Sequence, residues 1–556
     1  MIISDNTPPS PAKSNAALSN LQPSLESPPP AYGPVVGPSE QQHRQYQTYA
    51  GSPSSALSNV LRSPMDDYTD VEANGSRRRE SPGKRFCKAF AVAILIYVLV
   101  AIFFGTIKMN GQQSRTGWHN DFAIPNGIAV ISCTRGSEMQ NSSTGWDSLQ
   151  SIDFSHELLA KSSSSLPSSN GFGYGTVQTS LSLPLSSETL FLLSRGQSFS
   201  GNLRIKSSST LEEGTARVDV RVSYAEFAKR DFSLLRRTTV CLVHKKQGKR
   251  KQVGVGLFTS RDWPSSPYPR SQLQYDVTLV LPESRGPSIL RINAFETDLP
   301  NFHHFFTQSL DEFVTFGELI LKAGNGIVNA ASITAENATI HTSNREINIR
   351  SLTSNTVSLY TINSEIRGHF IISQSIDIKA VNAKVKADIE LYPEYPNGGG
   401  SIILQTTQKA LEAIINIHNP SYFFNFFNFS SSSIPSKPSS TYFISASNKN
   451  GIVDVSVPLL PPDSALNLTA SSTNGRVTTT LPATYEGSYS LLTTNIVGEV
   501  HIEHTEDPEG LERKRLWDSN KGNGKDIRGS VYWDRSNRNK GSVVLKSANG
   551  QAKLFL

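Results

Sequence analysis

The residues best suited to chemistry in this chain are few. Asp377, Asp388 and Glu390 lie close in sequence, as an acid–base pair or a calcium cluster would require, and His303-His304 within NFHHFF offers two imidazoles to a metal. Neither set is complete. The carboxylates alternate with apolar residues, as the outward face of an ordinary strand does, and no third ligand accompanies the histidines. The chain carries no nucleophile elbow, phosphate-binding loop or zinc-type ligand spacing. The expectation is a non-enzymatic protein without metal or cofactor. A polysaccharide-active enzyme is one alternative, because stacked β-structures can align carboxylates along a groove; a membrane adaptor recruiting a WW-domain ubiquitin ligase through the N-terminal tail is the other.

Covalent chemistry is better signposted. Cys133 and Cys241 are the two cysteines beyond the apolar segment described below, and a disulfide between them would close a loop of about 110 residues, worth roughly 4–5 kcal/mol on the chain-entropy picture; two buried thiols are the other option. Four acceptor sequons begin at Asn141, Asn337, Asn428 and Asn467. Cys87 sits beside the apolar segment, where palmitoylation fits as well as an ordinary interfacial thiol. The basic run KKQGKRK, Lys245 to Lys251, reads as a solvated hairpin tip, with a polyanion site or dibasic cleavage as alternatives.

The elements that must carry these residues announce themselves by repetition. Asn325, Asn344, Asn363 and Asn382 recur every 19 residues. Four residues before each stands Leu321, Ile340, Leu359 or Ile378, and three after stands Val328, Ile347, Ile366 or Val385. Ile333, Leu352 and Ile371 occupy the place eight residues on. About 20 residues suit one coil of short strands, so equivalent apolar residues stack into a continuous core. The fold class is therefore all-β, a right-handed β-solenoid in which the asparagines form a structural ladder at the corners. Glu346, Glu365 and Lys384 share the spacing and read as a surface charge ladder. Later runs, YFISASNKNGIVDVSVP, LNLTASSTNGRVTTTLP and SVVLKSANGQAKLFL, repeat the tune with Asn-Gly, expected to supply positive φ at each corner.

Membrane topology is the second signal. AFAVAILIYVLVAIFFGTI, residues 89–107, carries no charge and as a helix would be roughly 28 Å long, enough to span a bilayer. Residues 77–88 hold Arg77, Arg78, Arg79, Lys84, Arg85 and Lys88 against Glu80, which places the N-terminal side in the cytoplasm. The net charge of +6 is concentrated in this block, which suits anionic lipid rather than nucleic acid. The chain then reads as a single-pass, signal-anchored protein of the plasma or secretory and endosomal membranes.

Residues 1–76 are rich in Pro and Ser, too poor in large aliphatics to fold, and read as a disordered cytoplasmic tail. Within it Pro29, Pro30 and Tyr32 make Pro-Pro-x-Tyr, which resembles the ligand of WW domains and implies recruitment of a WW-domain ubiquitin ligase. Residues 108–125 form a stalk, 126–315 a β-rich first part, and 316–556 the solenoid with insertions near 420–440 and 505–541. The first insertion holds the aromatic run YFFNFFNF, either a buried plug or a contact patch; the second, from Glu506 to Arg538, is expected as an exposed mobile loop. With the repeats and the motifs SETLFLLSRGQSFSGNLRI, VGVGLFTSR and FETDLPNF, the chain resembles uncharacterised fungal single-pass membrane proteins with adhesin-like β-helix ectodomains. That resemblance implies a surface fold with no catalytic residues to carry over; the sequons agree with a glycoprotein, and a cell-wall glycan or surface protein is the expected partner.

Overall fold

The computed structural model describes residues 121–141, 174–197, 199–225, 235–245, 251–262, 273–284, 289–307, 310–395, 398–419 and 440–556. All belong to one compact unit that falls within Leu99–Leu556. The apolar segment 89–107, Cys87, the Pro-Pro-x-Tyr motif, Asn428 and the aromatic run lie outside the described residues. Among the described residues no helix is long and apolar enough to cross a membrane.

Strands dominate, linked into one large, open, parallel-rich sheet. The 19-residue repeat is visible as parallel pairing at that offset: Leu321 pairs with Ile340, Ile340 with Leu359, and Leu359 with Ile378. The row then continues to Leu404, Ala446 and Ala470. A second row runs Val328, Ile347, Ile366, Val385, Leu411, Val453 and Val477. Every member of both rows is buried. Strand Ile347–Thr361 serves both rows, since Ile347–Ile349 pairs on one side of the stack and Leu352 onward on the other. Alternate residues face inward, so each coil adds a layer of aliphatic side chains to one core.

Three details differ from the sequence expectations. Leu352 pairs with Phe370, not Ile371, because the register shifts between Ile349 and Leu352. A one-residue slip exchanges the two faces of a strand, so Phe370 enters the core and Ile371 is only half-buried. The corner glycines Gly326, Gly451, Gly475 and Gly550 do not adopt positive φ. They are required by crowding instead: a Cβ on Gly475 would lie 1.9 Å from the Gly451 carbonyl oxygen, and one on Gly550 2.1 Å from that of Gly475. Lastly, the charged Glu506–Arg538 segment builds an antiparallel hairpin, Leu516–Lys521 with Asp526–Tyr532, docked on Gly487–Thr493. Asp518 organises it, accepting from the Ser530 backbone N–H at 3.0 Å and from Arg538 Nη2 at 2.6 Å.

Parallel pairing also extends back across residue 315. Leu290–Asp298 pairs with Val314–Gly324 on one side and Thr189–Arg195 on the other. Farther back the strands turn antiparallel, and Ile128–Arg135 lies at the edge beside Thr238–Lys245. There Cys133 and Cys241 are register partners joined in a disulfide.

Candidate functional site

The corners carry the asparagine ladder. Each Nδ2 donates to the Oδ1 one coil earlier: Asn344 to Asn325 at 2.6 Å, Asn363 to Asn344 at 2.7 Å, and Asn382 to Asn363 at 3.0 Å. Asn325 donates in turn to Asn301 at 2.8 Å. A later series links Asn450, Asn474, Asn549 and Asn495, beginning at Gln408. Each amide thereby gives one N–H and one lone pair to its neighbours, and the row braces successive coils along the exposed corner. Two residues before each corner amide a second row lies buried, including Thr342, Thr361, Thr406, Asn448, Ser472 and Ser547. Ser472 Oγ donates to the Gly451 carbonyl at 2.9 Å and accepts from the Gly475 N–H at 2.9 Å. In this row only Thr342 and Thr361 keep the 19-residue spacing, and hydroxyl residues, common throughout the chain, hid it.

The histidine pair serves the core. His304 is fully buried, its Nδ1–H donating to the Phe302 carbonyl at 3.0 Å, which leaves Nε2 to accept from Thr297 Oγ1 at 2.9 Å. Both nitrogens are thereby used. His303 Nδ1 accepts from the Ile327 N–H at 3.0 Å. Burial pushes the His304 pKa down to about 4. An unfolded histidine titrates near 6.5, so between those values the unfolded chain binds a proton that the native chain refuses. Stability should therefore fall as pH drops from about 6.5 to about 4, by up to about 3 kcal/mol. Urea unfolding at stepped pH checks this: His304→Gln should flatten that part of the curve, and an unchanged slope would assign the acid sensitivity elsewhere.

The carboxylates behave differently from one another. Asp377 lies beside Lys379 at 2.5 Å. Asp388 and Glu390 project outward from Val385–Leu391, on the other side of the stack, where His369 of the preceding coil joins them. One ligand atom from each of His369, Asp388 and Glu390 lies within 4.8 Å of the others, a spacing that could receive a divalent cation. Glu390 is held from behind: Asn416 Nδ2 donates to Oε1 at 2.9 Å, and His418 Nε2 contacts Oε2. The His418 ring is itself stacked on Tyr392, centroids 4.1 Å apart.

Around this cluster the outward residues line a groove of about 670 Å³. One row along its floor runs Asn329, Asn348, Arg367, Lys386, Glu412 and Asp454, each the register partner of the next. The inward residues behind it are mostly small: Ala330, Gly368, Ala387 and Ala413. Arg350 adds a third cation at the end where Arg367 and Lys386 stand, so the row passes from cations to carboxylates along the stack. Lys384 pairs forward with Glu412 at 2.8 Å. Burial raises the Asp454 carboxyl above its ordinary range, with Arg476 opposing and Glu412 adding to the rise.

Of the sequon asparagines, Asn337 is exposed in mid-strand and accepts from Thr356 Oγ1 at 2.5 Å, while Asn467 is half-buried between Phe443 and Ser542. Asn141 pairs through its backbone with Val177.

Residues 355–507 match the family model of a domain of unknown function, DUF7330. That segment contains Arg367, Lys386, Asp388, Glu390, Glu412 and Asp454, though it covers only about a quarter of the chain. A candidate cell adhesion protein from Clostridium sporogenes is similar at 8% identity and a TM-score of 0.13, the alignment covering 68% of this chain and 99% of that one. So low a score carries no argument here. No curated protein matches the sequence.

Proposed function

We propose that this chain is a non-enzymatic, type II single-pass membrane protein whose ectodomain, a right-handed β-solenoid, recognises an extended cell-wall glycan or surface protein. The observation that supports recognition is the groove: polar and charged residues from six successive coils fall on one outward row, at the roughly 4.8 Å spacing of neighbouring strands. A rigid stack presents such a row with little ordering cost on binding. In this reading the sequons serve an exported, glycosylated surface, and Pro29, Pro30 and Tyr32 connect the cytoplasmic side to a WW-domain ubiquitin ligase.

One observation favours a second reading, a polysaccharide-active enzyme. Glu412 and Asp454 stand on adjoining coils, and the raised Asp454 is the kind of carboxyl that donates a proton to a leaving oxygen. Purified full-length protein in detergent, passed over a panel of cell-wall polysaccharides, separates the two. Retention without release of reducing ends supports recognition, whereas sustained release abolished by Asp454→Asn overturns it.

A further inference from the structure

The order of coils in space is not their order in sequence. After Ala465–Ser472 and Val477–Thr480 the chain runs on to Gly487–Thr493 and Glu499–His501, builds the antiparallel hairpin, and then returns. Strand Gly541–Ser547 lies between Ala465–Ser472 and Gly487–Thr493, parallel to both: Val543 pairs with Leu468 and Tyr489, Leu545 with Ala470 and Leu491. Ala552–Phe555 likewise lies between Val477–Thr480 and Glu499–His501. Two coils consecutive in sequence are thus held one coil apart. The last sixteen residues fill the slot between them.

The slot is specific. Val543, Leu545, Ala552 and Leu554 are fully buried in it. Asn549 completes the corner ladder on both sides, donating to Asn474 at 2.6 Å and accepting from Asn495 at 2.5 Å. Ser547 Oγ reaches the Gly475 carbonyl at 3.0 Å, and Gly550 admits no Cβ. Empty, the slot would expose two facing strand edges with unpaired N–H and C=O groups, the strongest template a sheet offers to another strand. Its walls are copies of the same repeat, so the segment that fits it best is residues 541–556 of this sequence.

A short connection leads into that segment. Glu486 fixes the near end of the connection, its carboxylate accepting from the Trp533 and Asp534 backbone N–H groups and from Asn537 Nδ2. Beyond it Arg538 and Asn539 are exposed, Arg538 reaching Asp518 and Ser530 of the hairpin. Residues 538–540 lie beyond these bonds and, extended, would reach roughly 10 Å, with Lys540 Nζ 3.6 Å from Asp463 and 3.7 Å from Glu486. We propose that residues 541–556 are an exchangeable coil, and that the slot between the coils 465–480 and 487–501 takes the same segment from a second copy of the chain, joining copies by strand exchange.

Thr478 and Lys553 are outward register partners across the slot boundary, which gives a direct test. Two differently tagged full-length chains, both carrying Cys87→Ser, are co-expressed, one with Thr478→Cys and the other with Lys553→Cys, and then oxidised. Exchange predicts a mixed covalent dimer that is lost when the second chain also carries Gly550→Val, and that diminishes when synthetic peptide 541–556 is present during assembly. The proposal is overturned if no mixed dimer forms while a single chain carrying both cysteines closes on itself as a monomer. It is equally overturned if the dimer persists undiminished with the peptide and with Gly550→Val, because the contact would then be collisional.

Discussion

Replacing Cys133 and Cys241 together by serine is expected to lower the unfolding free energy by about 4–5 kcal/mol, the value a cross-link closing a loop of 108 residues removes from the unfolded chain's entropy. Position adds to the effect. Among the described residues Ile128–Arg135 is an edge strand paired only with Thr238–Lys245, and Cys241 is fully buried beside Phe191 and Phe258 in a small separate cluster. A serine hydroxyl at 241 would lack the disulfide sulfur's compatibility with an apolar site. Fraying should begin at this end, so amide exchange in 128–135 should rise before that of Ile347–Thr361. Urea unfolding of the oxidised protein and the double variant measures the difference. A loss below about 1 kcal/mol would show that the cross-link constrains little.

Gly475→Ala should cost about 4 kcal/mol, at the upper end of overpacking effects, because the obstacle is backbone. A Cβ at 475 would lie 1.9 Å from the Gly451 carbonyl oxygen, and Gly475 offers its own carbonyl to Ser547 and its N–H to Ser472, so neither coil can retreat without breaking corner bonds. The matched control is Arg345→Ala. Residue 345 follows Asn344 as 475 follows Asn474, yet arginine, serine and alanine occupy that place at 345, 364 and 383. Its replacement should be nearly neutral in the same thermal or urea experiment. Equal losses at 345 and 475 would mean that the two kinds of corner share one geometry, contrary to the contact distances.

What could be read from sequence was whatever recurs at a constant offset. The asparagines 19 residues apart, with Leu321 and Val328 and their equivalents, gave the stacking and its inward rows directly, because parallel in-register pairing copies a sequence period into space. Ile371 shows the limit of that reasoning: the corner between Ile349 and Leu352 absorbs a residue, and the offset alone does not show it. The groove was harder to find. Arg367 and Lys386 keep the 19-residue spacing, but Glu412 and Asp454 follow at 26 and 42 because longer connections intervene, so the row has no fixed period. Asp388 and Glu390 looked like an ordinary outward face, and they are one; His369 and His418 reach them from neighbouring coils. The slot filled by residues 541–556 could not have been foreseen, since a strand resembling every other coil carries no mark of which two it separates.

The most direct test of the central claim is retention of full-length protein on the polysaccharide that the panel selects, compared between the native chain, Arg367→Glu/Lys386→Glu in the groove, and Lys379→Glu on the other side of the stack. The groove variant should lose at least about 30-fold in affinity, roughly 2 kcal/mol, while Lys379→Glu binds as the native chain does. Equal retention by all three would remove the groove from recognition.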